Sequence, residues 1–407
     1  MRVGIEKLNL YAGRCYLDLR DLAEARGSDA HYITNQLMCH QRSVYPLYED
    51  AVTMAVNAVK RLLTPEDLKE IELLIVGSET AVDYGKPIST WVHRLCKLPE
   101  NCRNFELKHA CYGGTGALKM AASWVQSGIR PGKKALVVSS DFSRNSTGTI
   151  HEPMMGGCAV AMLVSAQPDI LELNLAEAGY WTTEIYDTFR PTVRHEITNG
   201  EMSMYSYLDA LDGSFEHYER VVGPVDYDAA FKKHIYHAPF PGMALQAHQS
   251  LLNRFDDLPR EVVLANFQQK VEPGLSFSKR IGTSYGASTF VCLLSLLSGA
   301  NDLAPGDAVS LFAYGSGCQG EFYKGTIGER ALELVPAAQI AQHINARLPL
   351  SVAAYEANEV ARDRLVDCGD YAPETPFLNG AYAEGYAGQG LLVLDKVTGY
   401  ERKYRWS

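Results

Sequence analysis

The chain lacks the features that would place it in a membrane or outside the cell. None of its apolar runs reaches the roughly 18 to 20 residues that span a bilayer. Its first residues, MRVGIEKLNLYAG, have neither the basic start nor the apolar core of a signal peptide. We therefore expect a cytoplasmic protein that makes no contact with a membrane.

Motifs for disulfides, metals and nucleotides are also absent. The nine cysteines are an odd number and include no CxxC pair, so they fit neither a secreted disulfide framework nor a zinc site. No phosphate-binding loop and no GxGxxG fingerprint occurs. We expect no metal, no bound cofactor, and mostly reduced cysteines in the core.

Positively charged residues are fewer than negatively charged ones. The chain has 38 lysines and arginines against 48 aspartates and glutamates, a formal net charge of −10. This balance argues against nucleic acid as a partner, because phosphate binding needs a basic surface. An acidic protein partner would need a local basic patch. Candidates for it are Arg220, Lys232, Lys233 and Arg254, although ordinary solvated charge explains each of them alone.

Apolar, β-branched runs alternate with helical patterns. Four runs are typical of buried strands: IELLIVG from Ile71, KALVVSS from Lys134, AVAMLVS from Ala159 and AVSLFAY from Ala308. Two segments between them have helical spacing, YEDAVTMAVNAVKRLL and GALKMAASWVQSG. The alternation predicts an α/β protein with largely buried sheets.

Part of this pattern occurs twice. A Tyr-Gly pair, an apolar helical run, a Pro-Gly turn and two strands follow Tyr112, and the same order follows Tyr285. The copies lie about 170 residues apart, too far for a solenoid repeat. Either the chain consists of duplicated halves, at about 1–170 and 171–407, or two βα units resemble each other by chance. Two segments interrupt the second half: a polar stretch at about 178–228, which we interpret as an insertion with a binding surface, and a helical one at about 328–372.

Cys111, in KHACYGGTGAL, is the first candidate for chemistry. If the following run is a helix, its N-terminal amides and dipole favour a thiolate, and we expect the pKa of Cys111 to be lowered. Glycines 113 and 114 would allow a substrate to approach the backbone. A buried structural thiol explains the motif equally well.

Three more candidates follow predicted strands. Glu79, in IVGSET, would have a raised pKa and serve as a base if it is desolvated, or it is a solvated loop residue. His237, in HAPF, is either a neutral donor or a structural histidine. The loop YGSGC around Ser316 offers backbone amides for an oxyanion, or is a plain turn.

Together these motifs identify a family. The chain resembles the 3-hydroxy-3-methylglutaryl synthases of the thiolase superfamily over nearly its whole length, through ACYGGTGAL, IVGSET, HAPF and YGSG. The resemblance implies the duplicated five-layered αβαβα thiolase fold and a homodimer. It implies an acyltransferase in which Cys111 is acylated, Glu79 enolises the acetyl group and His237 engages the acceptor.

The resemblance also implies supporting residues in the active site: Tyr112, Asp141, Asp187, Thr283, Gly315 and Ser316. One of them departs from the family pattern. The family usually has an asparagine in a GNxYT-like segment, whereas this chain has GTSYGAS, with Thr283 at that position. Threonine still donates a hydrogen bond, but its reach is shorter.

Other segments point to one branch of the family. The stretches FELKHACYGGT and DTFRPTVRHEITNGEMSMYSYLDALDGSF are similar to synthases that install β-branches in polyketides. Lysines of the coenzyme A enzymes fall here on Gly242 and Gln246, which removes cations for the coenzyme's phosphates. We therefore expect an acetyl group from a donor acyl carrier protein and an acceptor acyl chain on another carrier protein. The alternatives are a primary-metabolism enzyme that uses acetyl-CoA and acetoacetyl-CoA, and a catalytically silent scaffold.

Overall fold

A computed structural model describes residues 1–144, 146–254, 257–373, 378 and 380–407. The strands of these residues are β1 Gly4–Tyr11, β2 Cys15–Asp18, β3 Gln41–Val44, β4 Ile71–Gly77, β5 Arg103–Leu107, β6 Lys134–Phe142, β7 Gly157–Ser165, β8 Leu171–Thr182, β9 Thr188–Phe189, β10 Ile197–Thr198, β11 Lys233–Tyr236, β12 Ala308–Gly315, β13 Gln319–Ile327, β14 Leu348–Pro349, β15 Leu392–Thr398 and β16 Glu401–Trp406. The four strands predicted from apolar runs are all present, as β4, β6, β7 and β12.

The α-helices of the described residues are α1 Leu19–Arg26, α2 Ala51–Lys60, α3 Pro65–Glu70, α4 Ile88–Leu95, α5 Gly113–Gln126, α6 Gly200–Val222, α7 Tyr227–Ala230, α8 Pro241–Leu252, α9 Arg260–Lys270, α10 Ser278–Ile281, α11 Ser288–Gly299, α12 Ala331–Ala337, α13 Ile340–Asn345, α14 Val352–Leu365 and α15 Ala381–Gly385. Within the described part of the chain, none of these helices combines the length and hydropathy needed to cross a bilayer.

The large sheet has two corresponding halves. Its strand order is β11-β12-β13-β8-β1-β7-β6-β4-β5. In one half β4 pairs with β6 in parallel, and β6, β7 and β1 follow antiparallel; in the other β11, β12, β13 and β8 repeat these orientations. The halves join where β1 pairs antiparallel with β8, at Gly4–Glu172 and Ile5–Leu171.

Helices cover both halves in layers. The apolar residues of α5 and α11 pack in one shared core against strands of both halves. On the outside, α2 and α4 pack against the first half and α6 against the second. The layers are therefore a helical layer, one half of the large sheet, the helices α5 and α11, the other half of the sheet, and a second outer helical layer. This is the predicted five-layered arrangement, and the prediction is confirmed.

The segment 178–228 is partly an integral element of this fold. Position 178 falls inside β8, and nearly half of the segment forms the 23-residue helix α6, which begins after the N-cap Asn199. The inner face of α6, including Tyr207, Leu211 and Phe215, is buried in the core. Between β8 and α6, the β9–β10 hairpin pairs Thr188 with Thr198 and reaches the candidate site.

Candidate active site

Cys111 lies in a tight turn between β5 and α5. Ala110, just before it, has a φ of +38°, a strained value for a residue other than glycine. The amide of Tyr112 donates to the His109 carbonyl and that of Gly113 to the Ala110 carbonyl. The turn directs the Cys111 sulfur into a pocket of about 330 Å³.

Glu79 contacts this sulfur from the side. Its Oε2 lies 3.7 Å from the Cys111 Sγ, within the range of a thiol donating to a carboxylate. The loop that carries Glu79 leaves β4 and is fixed by Asp141 at the end of β6. One carboxylate oxygen of Asp141 accepts the amides of Glu79 and Thr80, both at 2.9 Å, and the Ser78 hydroxyl.

The electrostatics of this pair differ from the expectation for a helix N-terminus. Burial raises the pKa of Cys111 well above its ordinary value, and the charges of Glu79, Asp141 and Glu196 raise it further. The prediction of a lowered pKa is therefore wrong, because desolvation and three carboxylates outweigh one helix dipole. Burial also raises the pKa of Glu79 to about 7. At neutral pH the pair is a thiol beside a carboxyl group that is about half ionised.

His237 follows β11 in the second half and lines the same pocket as Cys111. Its amide donates to the Phe312 carbonyl and its carbonyl accepts from the Tyr207 hydroxyl at 2.7 Å, which fixes its backbone. Burial lowers the pKa of His237 to about 3. The ring is therefore neutral at physiological pH, as the sequence-based hypothesis of a neutral donor requires.

Two of the supporting residues also line the pocket, Thr283 and Ser316. The amide of Thr283 donates to the Met154 carbonyl at 2.8 Å, which holds the loop before α11 in place. The complete lining consists of Tyr32, Cys111, His151, Met154, Met155, Thr188, Glu196, Thr198, Gly200, Ser203, Met204, Tyr207, His237, Pro239, Phe240, Met243, Gln246, Thr283, Tyr285, Tyr314 and Ser316.

The remaining supporting residues lie behind this wall. Tyr112 donates at 2.6 Å to Glu321, a fully buried carboxylate. Asp187 accepts from the Tyr314 hydroxyl at 2.7 Å and from the Gly317 amide at 3.0 Å, so it orders the loop that carries Ser316.

Two glycines allow backbones to meet around the nucleophile turn. A Cβ on Gly315 would lie 2.6 Å from the Tyr112 amide nitrogen. A Cβ on Gly114 would lie 2.1 Å from the Gly286 carbonyl oxygen. The expectation that Gly114 gives a substrate access is wrong, because this space is filled by the second half of the chain.

Comparison with known proteins agrees with this geometry. The sequence profile of the N-terminal part of hydroxymethylglutaryl-coenzyme A synthase matches residues 1–169, and that of the C-terminal part matches residues 244–376. Polyketide biosynthesis 3-hydroxy-3-methylglutaryl-ACP synthase PksG of Bacillus subtilis is 34% identical over 99% of both chains. The chain belongs to the hydroxymethylglutaryl-coenzyme A synthase family. The resemblance predicted from the motifs is confirmed.

Solved structures of the family give the same result. The HMG synthase of the curacin biosynthetic pathway superposes with a TM-score of 0.94 at 35% identity, with both chains fully covered, and it has also been solved with its acetyl donor-ACP. An HMG-CoA synthase complexed with CoA has a TM-score of 0.88 at 31% identity, with both chains fully covered.

In this member of the family, sequence reasoning missed a charged group beside Glu79. Arg190 forms ion pairs with Glu79 at 3.1 Å and with Glu196 at 2.9 Å. Glu196 lines the pocket and accepts from the Tyr285 hydroxyl at 3.1 Å. Arg190 and Glu196 lie at the two ends of the loop that connects β9 to β10. This loop is in the stretch that suggested the family branch, but nothing in that stretch indicates their partners.

The proposed basic patch is only partly exposed. Lys233 is buried and paired with Asp302 at 2.8 Å, and Arg254 is paired with Glu216 at the same distance. Lys233 is therefore wrong as a patch residue, whereas Arg220 and Lys232 are exposed. Among the described residues, no group of three or more His, Cys, Asp or Glu side chains is placed to hold a metal ion.

Proposed function

We propose that this protein is a β-branching synthase that condenses an acetyl group from a donor acyl carrier protein with the β-ketone of a polyketide on an acceptor carrier protein. The observation that carries the proposal is the meeting of three groups: Cys111 and His237 line one pocket, and Glu79 contacts the Cys111 sulfur. A thiol, a base and a neutral imidazole are the groups that acyl transfer and enolate addition require.

Acylation is the first step. Glu79 accepts the thiol proton through Oε2 as the Cys111 sulfur attacks the acetyl thioester. The tetrahedral intermediate then collapses, and the phosphopantetheine thiol of the donor leaves with that proton. This step needs a base because the pKa of Cys111 is raised. Stabilisation of the oxyanion by backbone amides of the Cys111 turn and the Ser316 loop remains a prediction.

Condensation uses Glu79 a second time. The carboxylate removes a proton from the acetyl methyl group, and the enolate carbon attacks the acceptor ketone. Since the pKa of His237 is about 3, its ring polarises the ketone by donating a hydrogen bond as neutral imidazole. The new alkoxide takes the proton held by Glu79. Water then cleaves the enzyme thioester, which leaves a 3-hydroxy-3-carboxymethyl acyl chain and free Cys111.

Two residue positions favour carrier proteins over coenzyme A as the source of the acyl groups. At Gly242, where coenzyme A enzymes have a lysine, a Cβ would lie 2.2 Å from the Gln36 carbonyl oxygen, so no side chain fits. Gln246 is exposed at the rim and uncharged. PksG is by name a 3-hydroxy-3-methylglutaryl-ACP synthase, and the curacin enzyme has been solved in complex with its donor ACP, and both support this choice. The matching coenzyme A synthase profiles favour the runner-up, a synthase that uses acetyl-CoA and acetoacetyl-CoA.

We also propose a cytoplasmic homodimer built from two thiolase-like halves, residues 1–170 and 171–407. Strand β5 supports the dimer, because it is the last strand of the large sheet among the described residues and its first residue is exposed. Such an edge can pair with a second copy of the chain. We assign Cys111, Glu79 and His237 as catalytic, and Tyr112, Asp141, Asp187, Thr283, Gly315 and Ser316 as supporting.

Intact-protein mass spectrometry tests the proposal. The protein is mixed with acetyl-loaded donor carrier and acetoacetyl-loaded acceptor carrier, and in parallel with the two coenzyme A thioesters. We expect acetylation of Cys111 and a branched acceptor with the carrier substrates, and much slower reaction with coenzyme A. Faster turnover of the coenzyme A pair would favour the primary-metabolism enzyme. No acetylation with either pair would favour a silent scaffold.

A further inference from the structure

The guanidinium group of Arg190 lies between two carboxylates at the site. It pairs with Glu79 Oε1 at 3.1 Å and with Glu196 Oε2 at 2.9 Å, and it donates to the Thr80 hydroxyl at 3.3 Å. One face of the group lies 4.7 Å from the ring centre of Tyr285. The two ion pairs, the hydrogen bond and the ring contact together restrict the orientation of the planar group.

The orientation of Arg190 bears on which carboxylate oxygen of Glu79 faces the nucleophile. Arg190 Nε forms its ion pair with Oε1 of Glu79, and the other oxygen, Oε2, faces the Cys111 sulfur. Without the ion pair, the carboxylate could rotate about its last side-chain bond, where the torsional preference is broad. A base must stay within hydrogen-bond reach of its proton to act efficiently.

Building on the proposed function, we propose that Arg190 is a positioning residue that Glu196 holds in place and that aims the Glu79 carboxylate at Cys111. Arg190 does not line the substrate pocket, so it acts through Glu79. The β9–β10 hairpin, which carries Arg190, thereby connects the polar stretch after β8 to the reaction at Cys111.

The charge of Arg190 has a measurable consequence. The titratable and charged groups that act on Glu79 and Arg190 are Cys111, Asp141, Arg144, Glu196 and Tyr285. Arg190 lowers the pKa of both Glu79 and Cys111, whereas Glu196 raises both. Loss of Arg190 and loss of Glu196 therefore have opposite effects on the ionisation of the Glu79–Cys111 pair.

Alkylation of Cys111 by iodoacetamide as a function of pH measures this ionisation without a carrier protein. Peptide mass spectrometry separates Cys111 from exposed Cys368, which serves as an internal reference. We expect Arg190→Gln to move the midpoint upward by about 1 to 3 pH units, the effect of a contacting opposite charge. Glu196→Gln should move it downward. Arg190→Lys, which keeps a charge but not the planar fork, should fall between wild type and Arg190→Gln.

Arg194→Gln is the matched control, because this exposed arginine in the same segment pairs with Asp367 at the surface. Its profile should equal that of wild type. An unchanged midpoint in Arg190→Gln, or shifts of equal sign in the Arg190 and Glu196 variants, would overturn the proposal. If buried Cys158 becomes alkylated in Arg190→Gln, that variant has lost its fold. The midpoints of Arg190→Lys and Glu196→Gln then test the proposal in its place.

Failure of the proposed function would be seen separately, as the absence of acetyl transfer to Cys111 in wild type. In an active enzyme, the acid limb of the condensation rate should move in the same direction as the alkylation midpoint in each variant. A purely structural role for Arg190 would lower the rate at all pH values and leave that limb in place.

Discussion

Glu79→Gln is the substitution that separates the two uses of this carboxylate. Glutamine has nearly the same size but cannot accept a proton from the Cys111 thiol 3.7 Å away. Since burial raises the pKa of Cys111 well above its ordinary value, only a small fraction of the thiol is ionised at neutral pH. Acylation that relies on this fraction should be slower than in wild type.

Condensation should suffer more than acylation. Loss of the Glu79 charge removes one cause of the raised pKa of Cys111, so the thiol gains some reactivity in the variant. No such compensation exists for proton removal from the acetyl methyl group, and a missing general base costs about 10² to 10⁴-fold. The ratio of the two effects therefore identifies Glu79 as the base in both steps.

The assay is single-turnover mass spectrometry. Acetyl-Cys111 formation is followed after rapid mixing with acetyl-loaded donor carrier, and product formation is followed after adding the acceptor carrier to the acetylated enzyme. Glu333→Gln, at an exposed surface carboxylate, is the control and should behave like wild type. Wild-type acylation in Glu79→Gln would refute the role in thiol deprotonation, and wild-type condensation would remove Glu79 from the mechanism.

Three further outcomes follow from the structure. The pKa of Glu79 is raised to about 7, and its ionised form is the base, so the condensation rate should rise with pH and reach half its limit near pH 7. A midpoint near 4.5 in a pH–rate profile would contradict this. Lys119→Ala should lower the free energy of unfolding by about 3 to 5 kcal/mol in urea titrations, because it removes the cation that lies 2.8 Å from the fully buried Glu321 carboxylate. Lys119→Arg should retain most of the stability. Gln246→Lys should lower the KM for acetyl-CoA by roughly 1.5 to 5-fold, as one exposed ion pair allows, with little effect on the KM for acetyl-loaded carrier.

The strands and their ends were predictable because their signals are local. A buried strand needs a continuous apolar run, and such runs begin at Ile71, Lys134, Ala159 and Ala308, each within two residues of a strand start in the structure. Since catalytic groups in α/β folds collect where strands end, Glu79 and His237 could be selected before their distances were known.

The electrostatics of the site were not predictable, because they depend on distant segments. Local reasoning about Cys111 considers the helix that follows it, but the carboxylates that raise its pKa come from the loop after β4, from β6 and from the β9–β10 hairpin. The hairpin strands are two residues long each, too short for a periodic pattern. Glu196 contacts Tyr285, which lies 89 positions away in sequence. Arg190 therefore had no sequence signal that separates it from a solvated arginine.

The duplication explains why one site combines groups from both halves. Strands β4 and β11 occupy corresponding places in the sheet, and they end just before Glu79 and His237. In the repeat that aligns Tyr112 with Tyr285, Cys111 corresponds to Ser284, which is buried rather than in the pocket.

The second half thus has a corresponding centre at Ser284, which is buried and lies outside the pocket that Cys111 lines. Gly114 and Gly286 bring the starts of the two corresponding helices into backbone contact, so the second half faces the Cys111 turn directly. The second half also contributes His237, Thr283 and Ser316 to the lining of the pocket. We therefore expect Ser284→Ala to leave acylation of Cys111 intact, and a loss of acylation comparable to that of Glu79→Gln would show that the second centre still takes part in the chemistry.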